Sequence, residues 1–241
     1  MPQRPGYHNR QGPICSKIRY LLSVLTEVEG PLEYHQTASK IEYWIEYVLR
    51  EGFITVDELV EGVSSVAWGG VQDYYAARFL KEFYDAPHRS EQARSFVSQL
   101  CPCVLRWFTI ASTEDLNSWF GTPSLISSGG ASGFINAASF VGHLIERRLL
   151  SHELVQRHLT KPLTNHYDDG DRNVKYPGAT RAQAIYRLLT AAGNTLLQGL
   201  LEPDDVQACF DILDCSTYLQ PHMYRFTIYQ GKAAVDLERL K

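Results

Sequence analysis

The residues with the most chemical potential are His152-Glu153-Leu154-Val155-Gln156, Cys101-Pro102-Cys103, the run Gly129-Gly130-Ala131-Ser132-Gly133, and the trio Asp169, Asp171 and Asn173. The first approaches the zinc-protease pattern, in which two histidines one helical turn apart hold the metal and the intervening glutamate acts as base. Gln156 stands where the second histidine is required, so the segment reads instead as a helix start with Glu153 at its favourable end. Cys101 and Cys103 have one residue between them and no second cysteine pair at finger-like spacing, which argues against a metal site. The glycine-rich run precedes a helix but follows no strand and lacks the Lys-Ser/Thr of a phosphate cradle. The aspartates imitate the first ligands of a calcium loop, yet Val174 takes the place of the sharp-turn glycine and Thr180 that of the bidentate glutamate. No Gly-Xaa-Ser-Xaa-Gly elbow occurs, and the eight histidines are scattered. No catalytic, cofactor-binding or metal-ligating residue is therefore assigned, no cofactor is expected, and the chain reads as a non-enzyme.

The elements that carry these residues repeat one phrase: an apolar helix, a two-residue hydrophobic corner, then a capped acidic helix start. The first copy runs Trp44–Val63, and the stripe Ile41, Trp44, Ile45, Val48 and Leu49 that leads into it predicts a helix over Lys40–Arg50 that Gly52 ends. Phe53 and Ile54 form the corner, and Thr55 with Glu58 makes a capping box for the next helix. The second copy runs Phe140–Leu159; the stripe leading into it is Phe134, Ala137, Ala138, Val141 and Ile145, the corner Leu149-Leu150 and the cap Ser151. In Leu188–Leu213 the new helix starts at Pro203 with Asp204 and Asp205, and Val206, Cys209, Phe210 and Leu213 form its stripe. Two further helices are predicted over Gln72–Tyr84 and Ser90–Ile110, with Pro102 kinking or dividing the second. Gly121–Gly133 and Pro162–Gly178 read as loops, and Tyr224–Tyr229 is the one candidate strand.

Composition agrees with a buried globular chain: 241 residues, 44% hydrophobic and 12% aromatic. A formal net charge of -4 argues against a dedicated nucleic-acid-binding domain, though not against local patches. Five cysteines without a dense framework, and no Asn-Xaa-Ser/Thr acceptor, point to a reducing compartment, the cytoplasm or nucleus. No apolar run approaches the roughly 20 residues that cross a bilayer, so no membrane partner is expected.

Ser139–Val155 (SFVGHLIERRLLSHELV) and Ile185–Leu197 (IYRLLTAAGNTLL) resemble the middle domain of eukaryotic initiation factor 4G, a HEAT-type helical domain. The first is similar to that family's apolar, Val/Ile, Gly, x, Leu run with its Leu-Ser corner. The second is similar to its Leu-Leu-Thr, Gly, Leu pattern at Leu188-Leu189-Thr190, Gly193 and Leu196. The likeness covers Phe134 to about Leu213, and Gly142 and Gly193 would let neighbouring helices approach closely. It implies an adaptor that binds DEAD-box RNA helicases, other initiation or RNA-processing factors, and sometimes RNA. The residues that carry it pack the core, so no binding residue is carried over.

Charge is unevenly laid out. From Glu27 to Asp73 ten acids face only Lys40 and Arg50, whereas the segment from Arg147 to Arg187 has a basic bias. The aromatic cluster Trp68, Tyr74, Tyr75, Phe79, Phe83 and Tyr84 is expected to be mostly core, with any exposed tyrosine a natural interface anchor. The reading is thus all-α, a HEAT-like solenoid of antiparallel helical hairpins, with residues 1–30 a flexible lead and first helix and 31–241 a single helical-repeat domain. Its expected role is to bind another protein, an RNA helicase or RNA-processing factor, in translation initiation or RNA metabolism. The alternative is direct RNA binding through Arg147, Arg148, Arg157, Lys161, Arg172 and Lys175. A small-molecule enzyme is the third reading and requires a pocket of clustered titratable groups.

Overall fold

Helix α1 spans Pro31–Arg50 and begins well upstream of Lys40, where the apolar stripe alone places its start. Pro31 is tolerated there because the first helical N–H has no intrahelical partner in any case, and Glu33 faces the positive end of the dipole. The computed structural model of the chain describes residues 15–18, 20–22, 25, 31–64, 73–113, 130–164, 178–197, 204, 207, 209, 225–229 and 232–236. After α1 come α2 (Val56–Ser64), α3 (Asp73–Asp85), α4 (Glu91–Thr113), α5 (Gly130–Glu146), α6 (His152–Thr164), α7 (Gly178–Ala192) and the short α8 (Asn194–Leu197). Strands β1 (Arg225–Tyr229) and β2 (Lys232–Asp236) pair antiparallel, with Arg225 opposite Asp236. The fold is predominantly helical, as expected; the candidate strand is present and has a partner strand that an all-α reading does not include. No described helix is long and apolar enough to cross a membrane.

Two corners repeat the same backbone device. At the end of α1, Gly52 adopts φ 65°, its N–H donates to the Leu49 carbonyl at 3.1 Å, and the Phe53 N–H donates to the Val48 carbonyl at 3.0 Å. These bonds satisfy carbonyls that a helix end leaves open, and the Phe53 ring closes on Tyr47 at 5.6 Å. At the end of α5 the left-handed residue is Arg148, φ 58°; its N–H reaches the Ile145 carbonyl and the Leu149 N–H the Leu144 carbonyl, both at 2.9 Å. The helices that follow are capped as expected. Thr55 N–H donates to Glu58 Oε2 at 2.9 Å while Glu58 N–H donates to Thr55 Oγ1 at 3.3 Å, and Leu154 N–H donates to Ser151 Oγ at 3.3 Å.

Among the described helices, α2 packs on α4 and α4 on α6, α3 on α5 and α5 on α7, with α4 also touching α1, α3 and α5. One continuous apolar core results, running from Cys15, Ile18, Leu22 and Leu25 in the amino-terminal helical residues to Leu196 and Cys209. The expected stripe of α5, Phe134, Ala137, Ala138, Val141 and Ile145, is wholly buried. Gly142 makes the α5–α7 approach possible, because a Cβ there would lie 2.6 Å from the Leu188 carbonyl oxygen and 2.7 Å from Ala191 Cβ. Gly193 has a different role from the one expected: nothing lies within 4 Å of its would-be Cβ, and its φ of 56° ends α7, with its N–H bonded to the Leu189 carbonyl at 2.9 Å.

Several boundaries differ from the sequence expectation. Pro102 does not divide α4; the Ser98 carbonyl it leaves without a helical donor belongs to an exposed residue, which keeps the cost of the missing bond low. Gly130–Gly133, expected in a loop, forms the first turn of α5, where the packing of Phe134 and Ala137 overrides poor glycine propensity. Pro162 also lies inside a helix. It deprives the His158 carbonyl of its donor, and Thr109 of α4 fills the gap with Oγ1 at 3.0 Å from that oxygen. Of the third repeat, Asp204, Gln207 and Cys209 are helical and Cys209 is buried; Pro203, Asp205, Val206, Phe210 and Leu213 lie outside the described residues, as does the aspartate trio.

Candidate interaction surface

The cysteine pair has no reactive geometry. Cys101 and Cys103 sit two apart on α4 and therefore face different directions, and burial pushes the Cys101 thiol up to about 12. Cys103 is also raised, chiefly by burial, against opposing hydrogen bonds from Trp107 and Ser64. His152 and Glu153 are exposed at the start of α6, and Glu153 takes Arg157 Nη2 at 2.6 Å. Among the described residues no group of three or more His, Cys, Asp and Glu is arranged to hold a metal ion.

The acids that the sequence gathers near α1 are turned largely to internal bonds. Glu42 Oε2 meets Arg89 Nη2 at 2.5 Å, and the Arg89 guanidinium lies over Phe83 at 4.6 Å. Glu46 accepts both the Ser90 N–H at 3.2 Å and the Ser90 hydroxyl at 2.8 Å. Ser90 in turn caps α4 by accepting the Ala93 N–H at 3.2 Å. The acidic stretch thus fastens the α3–α4 turn to α1.

A second polar network joins α1, α3 and α5. Tyr34 donates to Glu82 Oε2 at 2.8 Å, and Arg78 donates to Glu82 Oε1 at 2.7 Å while lying 4.5 Å over the Tyr34 ring. Burial first, and then the bond to Glu82, raises the Tyr34 phenol well above its ordinary value. Tyr74 packs edge-on against His143 at 5.4 Å, and Arg147 covers its ring at 4.7 Å. His143 Nδ1 lies 3.4 Å from Glu146 Oε2, but burial outweighs that neighbour and lowers the imidazole. Of the aromatic cluster, Phe79 and Phe83 are core and stack at 5.6 Å, whereas Tyr74 and Tyr84 are exposed and Trp68 lies outside the described residues.

The six basic residues expected to form a face are differently engaged. Arg147 is half-buried against Tyr74, its Nε 3.8 Å from Glu146. Arg148 is exposed in the left-handed corner, and Arg157 is paired to Glu153. Lys161 lies on α6, with its side chain outside the described set together with Arg172 and Lys175.

Sequence reasoning missed the outer face of α1. Leu32 is 71% exposed, Tyr43 61% and Phe53 40%. Tyr43 and Tyr47 stack at 5.8 Å with planes only 8° apart, and Tyr47 contacts Trp44 at 6.1 Å. Trp44, expected in the buried stripe, is half-buried, and Lys17 Nζ sits 3.7 Å above its ring. The available signal was a second aromatic stripe, Tyr43 and Tyr47, out of phase with the aliphatic one. The chain matches no protein-family model, and no curated protein or solved structure matches it.

Proposed function

We propose that the chain is a non-enzymatic helical-repeat adaptor of HEAT-like build that binds another protein, with a place in translation initiation or RNA metabolism. The observation that carries this reading is the alternate stacking, α2 on α4 on α6 and α3 on α5 on α7. From α2 to α5 each described helix buries one face on the helix two places along, which is how a solenoid propagates and why it presents extended surfaces for docking. The two segments similar to the middle domain of eukaryotic initiation factor 4G lie on α5 and α7 and meet at Gly142, which supports the same build. That likeness makes an RNA helicase or RNA-processing factor the partner class to look for first. Protein is favoured over RNA because Arg147 and Arg157 already have carboxylate and aromatic partners while large aromatics face outward. Affinity purification of the tagged chain from its native cells, followed by mass spectrometry, is expected to recover a specific protein that an unrelated helical bait does not. Recovery of background proteins alone would overturn the reading.

A further inference from the structure

We propose that Ser90 is a phosphorylation site and that a phosphate there is a switch that unfastens α1 from the α3–α4 turn. Two consecutive residues of that turn, Arg89 and Ser90, are held by Glu42 and Glu46, which lie one helical turn apart on α1. Ser90 is exposed between two helices, where an enzyme can reach its hydroxyl, and that hydroxyl donates to Glu46 Oε2 at 2.8 Å. Arg89 beside it is the opposite case: its side chain is only 9% exposed, and its Nε–H is buried without an acceptor. Buried donors are rarely left so, and a phosphate on the neighbouring residue brings three strong acceptor oxygens.

The covalent step belongs to a protein-serine kinase with ATP. Ser90 Oγ attacks the γ-phosphorus, the bond from that phosphorus to the ADP oxygen breaks, and the hydroxyl proton passes to the kinase's base. The donor that holds Glu46 is thereby lost, and a group of charge about −2 takes its place. Like charges at contact distance repel more strongly than a helix end attracts, so Glu46 is expelled, with Glu91 adding to the repulsion. On the other side the phosphate is well received. It stands at the start of α4, where the Ala93 N–H already bonds to Ser90 Oγ, and Arg94 Nη2 lies in the same turn at 3.0 Å from the Pro87 carbonyl. Arg89 exchanges Glu42 for the phosphate on its own segment, and α1 loses both of its holds together.

The test places phosphoserine at position 90 of the full chain by stop-codon suppression. The phosphorylated chain should melt about 5 °C below the unmodified one, with amide hydrogen exchange about tenfold faster in the carboxyl-terminal half of α1. Ser90→Ala removes the hydroxyl without adding charge and should lower the melt by only about 2 °C. Glu46→Gln should recover most of the loss in the phosphorylated chain, because its amide donates where the carboxylate repels. A phosphorylated chain that melts at or above the unmodified one, or a loss that Glu46→Gln does not reduce, would overturn the switch. Peptide mass spectrometry on the chain purified from its native cells with phosphatase inhibitors should find phosphate on Ser90; an unmodified Ser90 there would overturn the site.

Discussion

Thr109 and Pro162 are coupled through a single carbonyl oxygen, and a double-mutant cycle reads that coupling. In α6 the amide at position 162 would normally donate to the His158 carbonyl, but proline has no N–H. Thr109 Oγ1 lies 3.0 Å from that oxygen and also 3.0 Å from the Leu105 carbonyl of its own helix. The helical N–H of Thr109 already serves Leu105, so the hydroxyl proton matters most at His158. Thr109→Val keeps the side-chain shape and removes the proton, leaving a part-buried acceptor unsatisfied at a cost of about 1–2 kcal/mol. In a Pro162→Ala background the restored amide takes over, and the same change should cost only about 0.5 kcal/mol. The expected coupling is therefore about 1 kcal/mol, within reach of urea denaturation on the four proteins with equal slopes. An identical cost of Thr109→Val in both backgrounds would refute the assignment.

Other perturbations follow from the same geometry. Gly142→Ala forces a Cβ onto the Leu188 carbonyl and Ala191, and should lower stability by about 1–3 kcal/mol in urea melts. Arg148→Gly relieves a left-handed side chain and should raise stability by about 0.5 kcal/mol. Gly52→Ala at the equivalent corner should lower it by about 1 kcal/mol. Burial is the leading cause that lowers both His143 and His158 below 6.5. The unfolded chain then takes up protons at higher pH than the folded one, so stability is complete above about 6.5 and declines as pH falls toward the folded values. Urea midpoints measured across that range should drop, with a shallower drop in His143→Gln.

Local signals were legible in the sequence. The Thr55–Glu58 box, the Ser151 cap and the α5 stripe depend on residues within a few positions of one another, and each is present as read. What was not legible depends on distant partners. Pro162 stays helical because Thr109, on another helix, supplies the missing donor. Arg148 turns the chain without a glycine to announce it. The acidic stretch looked like a charged surface because Arg89 and Ser90, which absorb Glu42 and Glu46, lie more than forty positions away. Tyr43 and Tyr47 drew no reading at all, since spacing alone does not tell whether a second apolar face lies buried or outward.

If the stacked helices hold out a surface for another polypeptide, the chain should not travel alone. The direct measurement is the mass at which the chain travels when gently purified from its native cells over a sizing column. An adaptor should emerge in a complex heavier than the chain's own 27.3 kDa, with a second protein in constant ratio across the peak. Elution of the chain alone at 27.3 kDa would contradict it.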